Sequence, residues 1–175
     1  MTVHTMGPYS QWLDWLEAFG RGEDREMRAL PAMDIERLGA IPAARLSERC
    51  GATMNGRLRI WSEAMQRDVQ RTRTPADLRQ ALRNARRRLD PLWAFADCDR
   101  LLPDLADALT QGLEQAVKTA QDEAQRNASR LGDPGELTLR ILREQPLTRR
   151  LELDLPEAPA RSANATAGGR TILLG

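Results

Sequence analysis

From Ile41 to Leu131 the chain carries an almost unbroken apolar stripe at helical spacing. Leu78, Leu82, Ala85, Leu89 and Leu92 step by four, three, four and three. Leu102, Leu105, Leu109, Leu113, Ala116, Ala120, Ala124 and Ala128 keep the same rhythm. A stripe of that period places its apolar side chains on one face of a helix, and each such face must be covered by another. The pattern predicts an all-α fold: a bundle of three long amphipathic helices with two short helices and an extended C-terminal tail. Hydrophobic residues make up 41% of the chain but aromatics only 4%, so the core is expected to be Leu and Ala with some Met.

Local signals divide the stripe. Residues 1–9 read as a loose arm, and Ser10 as the N-cap of a short helix from Gln11 to Phe19 that stops at Gly20. Asp34 to Leu38 reads as one turn. The first long helix is expected from Pro42 to Arg71, with Leu46, Cys50, Met54, Leu58, Trp61, Met65 and Val69 facing inward. Asn55-Gly56 is normally a turn signal, but the stripe keeps its phase across it, so continuity is expected. Gly51 and Gly56 would then permit a close helix crossing or a kink.

Thr74-Pro75 with Asp77 has the form of a capping box and opens a helix to Leu89, after which Asp90-Pro91 kinks or restarts it. Pro103 opens the next long helix, to Leu131. Asp133-Pro134-Gly135-Glu136 repeats the cap, proline and acid pattern and starts a short helix to Glu144. The domain is expected to span residues 1–145. Residues 146–175 read as a flexible Pro/Gly/Ala-rich tail ending in the apolar cluster Ile172-Leu173-Leu174. Within the tail Leu151, Leu153 and Leu155 alternate with Glu152 and Asp154, a strand-like period of two that has no second strand to pair with.

The residues needed for common catalytic centres are scarce. The single histidine is His4, in the arm, so a Ser–His or Cys–His pair would have to use it. Cys50 and Cys98 are two isolated cysteines, expected as reduced thiols rather than a disulfide framework. They are also too few for zinc, which takes about four ligands. No phosphate-binding glycine motif is present, and no cofactor is expected. No stretch approaches the ~18 apolar residues of a spanning helix. The N-terminus has no basic stretch followed by an apolar one, so the chain reads as soluble, cytoplasmic and off the membrane.

Two charge clusters carry rival functions. Asp97, Asp99, Asp104 and Asp107 are the densest acids and could hold Mg²⁺ in a helical enzyme, although aspartates also suit turns and helix starts. Arg79, Arg83, Arg86 and Arg87 fall on one arc beside an apolar stripe and could meet an anionic partner such as nucleic acid. Against that, the net charge is only +1, all of the 26 basic residues but Lys118 are arginine, and no aromatic interleaves with the arc.

The favoured expectation is a non-catalytic helical adaptor or assembly subunit that acts by protein–protein contact or self-association. Its expected contact residues are Trp15 and Phe19 of the N-terminal helix and Ile172, Leu173 and Leu174 of the tail. A nucleic-acid-binding protein and a Mg²⁺-dependent enzyme are the alternatives.

Overall fold

The computed structural model describes residues 7–23, 25–130 and 132–148, and the chain is all-α, with no strand among them. The helices are α1 (Pro8–Gly20), α2 (Ile35–Leu38), α3 (Ala40–Arg71), α4 (Pro75–Arg87), α5 (Asp90–Ala96), α6 (Pro103–Ser129) and α7 (Asp133–Glu144). A single 3₁₀ turn, Met27–Ala29, lies in the loop after α1.

Helix α3 runs unbroken through Asn55-Gly56 and is about 48 Å long at 1.5 Å per residue. Leu46, Cys50, Met54, Leu58, Trp61 and Met65 are all buried along it, as its period demands. Around this axis α1, α2, α4 and α6 pack directly on α3, while α5 and α7 pack on α6 and α7 also touches α4. A Cβ added at Gly51 or Gly56 would meet nothing within 4 Å, so neither glycine serves the close helix crossing expected of it.

Of the two outcomes expected at Asp90-Pro91, a kink or a restart, the chain takes the restart. After the Thr74 capping box, in which the Thr74 hydroxyl accepts from Asp77 N–H and the Asp77 carboxylate accepts from Thr74 N–H, α4 is only 13 residues long. Pro91 carries no N–H, so the ladder restarts as α5. The inner face of α6 also differs in detail. Leu109, Leu113, Val117, Ala120 and Ala128 are buried, whereas Ala116 and Ala124 are only partly covered.

Several boundaries move for local reasons. Helix α1 begins at Pro8 with Gly7 as N-cap, so Pro8 and Tyr9 belong to the helix and Ser10 is not its cap. Its stop is Gly22 rather than Gly20. Gly22 has φ of 84°, its N–H donates to Phe19 C=O, and Glu23 N–H donates to Ala18 C=O, the paired bonds of a Schellman end. The last turn of α1 is also held from outside: the Arg57 guanidinium donates to Phe19 C=O and lies 4.9 Å from the Phe19 ring centroid. Helix α7 is capped by Gly132, at φ 66°, not by Asp133. The fold also extends past residue 145. Leu147 is buried, and its N–H donates to Gln121 Oε1 at 2.8 Å, so the start of the expected tail is part of the core.

The core is continuous from α1 to Leu147. No helix of the described residues is long and apolar enough to cross a membrane.

Candidate functional site: a groove at one end of the bundle

The aromatic side chains expected on the surface are interior. Trp15 and Phe19 are each 5% exposed and stack at a centroid distance of 4.8 Å. Phe95 of α5 closes the cluster at 5.1 Å from Trp15 and 5.0 Å from Phe19. One narrow helix face buries both tryptophans because α1 is covered from two sides. Helix α3 takes one side, and the 25–33 loop wraps the other, accepting Trp12 Nε1–H at Pro31 C=O (2.9 Å) and Trp15 Nε1–H at Arg25 C=O (3.3 Å). Leu30 and Met33 of that loop are themselves core residues, and Met33 N–H donates to Arg100 C=O at 2.7 Å. Trp15 and Phe19 are therefore fold residues and are not available as a partner surface.

The arginine arc does not form one face either. Arg86 is buried, and its guanidinium donates to Gln145 C=O at 3.1 Å and to Gln145 Oε1 at 3.4 Å. Arg79 pairs with Glu144 at 3.7 Å, and Arg88 with Asp68 of α3 at 2.8 Å. Arg83 is exposed and donates to Gln80, and Arg87 is exposed. The arc is thus divided between pinning α4 to α7 and α3, on one side, and solvent on the other.

Asp97, Asp99, Asp104 and Asp107 are all exposed, with Asp99 3.5 Å from Arg100. Among the described residues no group of three or more His, Cys, Asp or Glu side chains is placed to hold a metal ion. Asp104 lies in the first turn of α6, which suits its charge to the helix dipole. Cys50 and Cys98 are free thiols. Burial pushes the Cys50 thiol up to about 12 and raises the Cys98 thiol as well, the reverse of what a reactive nucleophile needs. His4, Ile172, Leu173 and Leu174 lie outside the described residues.

A different feature emerges where four helix ends meet: the C-terminal turns of α3 and α6 and the N-terminal turns of α4 and α7 enclose a groove of about 840 Å³. That size lies within the ~300–1,000 Å³ of sites that hold ligands or side chains of a partner. Met65, Val69, Leu78, Ala124, Ala128 and Leu137 give it an apolar lining. Around them stand Gln66, Gln70, Thr72, Arg73, Thr74, Asn127, Arg130 and Thr138. Two of these are cationic and none is acidic. Two carboxylates bond to lining residues from outside: Gln66 Nε2 donates to Glu123 Oε2 at 3.1 Å, and Thr74 N–H donates to Asp77 Oδ2 at 3.2 Å.

Five of the groove's six apolar lining residues belong to stripes read from the sequence, but nothing local in the chain marks the meeting of four ends. Chemically the groove can take an apolar body and complement negative charge at its edge. Comparison with family models, with curated proteins and with solved structures returns no match, so the functional argument rests on this geometry.

Proposed function

We propose that the protein is a non-catalytic helical adaptor or assembly subunit that works by protein–protein contact in the cytoplasm, with the groove at the α3/α4/α6/α7 end as its contact surface. The observation that carries this reading is the groove's composition: an apolar lining beside Arg73 and Arg130, with no acid among the described lining residues. Its complement is a short leucine-bearing acidic segment. Apolar side chains anchored in a groove supply most of the affinity in such contacts, while charges at the edge set register and approach.

The nucleic-acid reading loses its geometric support with Arg86 buried and Arg79 and Arg88 paired. The acidic-site reading lacks a gathered set of ligands among the described residues.

The test is a partner captured from the native host, identified, purified and titrated against the wild-type chain and against an Arg73→Glu/Arg130→Glu variant. Both arginines are exposed, so the variant is expected to keep its helical circular dichroism. Affinity should fall by about tenfold or more, equivalent to about 1.4 kcal/mol. A partner that binds wild type and variant equally does not use this groove, and the proposal fails.

A further inference from the structure

We infer that the groove's resident occupant is the chain's own segment Leu151–Glu157. The inference rests on the reading of the groove as a segment-binding surface, and three observations carry it.

The first is where the described chain ends. Leu147 is buried with its N–H on Gln121 of α6, and Thr148 is the last described residue. Gln121 lies three residues before Ala124 and seven before Ala128, both of which line the groove. On a helix that is about 4.5 to 10.5 Å. Leu147 to Leu151 can span up to about 13 Å when extended, so Leu151 can reach the groove.

The second is chemical pattern. In extended chain successive side chains point to opposite sides. Leu151, Leu153 and Leu155 would then share one side and Glu152 and Asp154 the other, with Glu157 following Pro156. Three leucines match the apolar lining, and the acids match Arg73 and Arg130. A period of two that has no strand to pair with among the described residues thereby acquires a function.

The third is tethering. A link of a few residues gives an effective concentration of the order of millimolar, well above that of a typical partner in free solution. The segment therefore occupies the groove in its own chain rather than in a second copy, and an external partner has to displace it.

The experiment uses the full chain. A photo-crosslinking benzoylphenylalanine replaces Leu153, and after irradiation the products are sized on a denaturing gel and mapped by mass spectrometry. The expected result is a monomer-sized product joined at Met65, Val69, Leu78 or Leu137. In parallel, a fluorescein-labelled synthetic peptide of residues 149–158 is titrated against the wild-type chain and against Leu151→Ser/Leu153→Ser/Leu155→Ser. The peptide should bind the variant about tenfold more tightly, because the tethered competitor has gone. Adding Arg73→Glu to the variant should abolish that gain.

Dimer-sized products would assign the segment to a second copy and overturn the inference. So would equal peptide binding to both chains, or groove crosslinks from a probe at Leu173 in place of Leu153. Failure of both measurements overturns the inference but leaves the groove itself to the partner titration with Arg73→Glu/Arg130→Glu, which uses neither the probe nor the peptide.

Discussion

Gly135→Ala and Gly51→Ala are the same chemical change in two helices, and the structure assigns them opposite signs. In an open helix Ala is favoured over Gly by about 0.5–1 kcal/mol. At Gly51 and Gly56 an added Cβ meets nothing within 4 Å, so each change should stabilise the fold by roughly that amount. At Gly135, in the first turn of α7, the Cβ would stand 1.6 Å from the carbonyl oxygen of Ala128 and 2.6 Å from its carbon. Carbon–oxygen contacts settle at about 3.3–3.6 Å, so the two helices would have to separate by about 1.7 Å or more.

The obstructing atom is backbone in the last turns of α6, and no rotamer change can relieve it. Overpacking of this kind typically costs about 1–3 kcal/mol. Displacing α7 adds to that, since Ile141 and Leu142 are fully buried and each contributes about 1.5–3 kcal/mol when covered. We expect a net loss of about 2–4 kcal/mol for Gly135→Ala after the helix-propensity gain is subtracted. At about 2–4 °C per kcal/mol for a chain of this size, Tm should fall by about 5–15 °C. Urea and thermal unfolding of the three variants beside wild type measure this directly. Gly135→Ala as stable as Gly51→Ala would refute the close approach of α7 to α6.

Trp61→Phe keeps a ring in the core but deletes the Nε1–H that donates to Ala85 C=O at 2.8 Å, near the C-terminal end of α4. Leaving that carbonyl unpaired should cost about 1–3 kcal/mol by urea unfolding, and a neutral result would show that the bond carries nothing. Arg86→Gln should cost about 1.5–3 kcal/mol because it removes charged hydrogen bonds to Gln145, while Arg83→Gln and Arg87→Gln should each stay within about 0.5 kcal/mol. Equal effects at the three positions would contradict the burial of Arg86. With a thiol reagent at pH 8, Cys98 should react before Cys50, which is fully buried; Cys50 labelling at the Cys98 rate would contradict its burial. The folded state holds the Cys50 proton up to about 12, whereas the unfolded chain releases it from about 9.0. The unfolded state then binds fewer protons, so this thiol's contribution is flat below pH 9 and stability falls between about 9 and 12, by at most about 1.4 kcal/mol per pH unit. Cys50→Ala should remove that part of the alkaline slope, and an unchanged slope would assign it to other groups.

What the sequence makes legible here follows from interaction range. The α3 core from Leu46 to Met65 and the Thr74 capping box depend on neighbours three or four residues apart, and both are present as read. Along α6 a helix of 3.6 residues per turn drifts against a repeat of three and four, which brings Val117 inward and leaves Ala116 partly covered. The burial of Trp15 and Phe19 depends on Phe95 and on the 25–33 loop, whose core residues Leu30 and Met33 follow no period at all. The groove is further from local reach still. Its walls come from positions as distant in sequence as Met65 and Thr138, brought together where the ends of α3 and α6 meet the starts of α4 and α7.

The arginines of α4 show why residue type alone does not place a function. Arg79, Arg83, Arg86, Arg87 and Arg88 are chemically identical, yet 100° steps around one helix give them different surroundings. Arg86 lies four residues after Leu82 and three before Leu89, both buried, so it falls on the inner edge of the stripe and meets the end of α7. Arg79 and Arg88 reach acids on α7 and α3. Two exposed side chains, Arg83 and Arg87, are left for an anionic partner on that arc. Two phosphate contacts would give a salt slope of only about −2, where stable nucleic-acid binding draws on roughly six to ten contacts. The positive charge of α4 is largely committed to holding the helix in place. Arg73 and Arg130, beside the groove, are where cationic side chains stand next to apolar surface open to a partner.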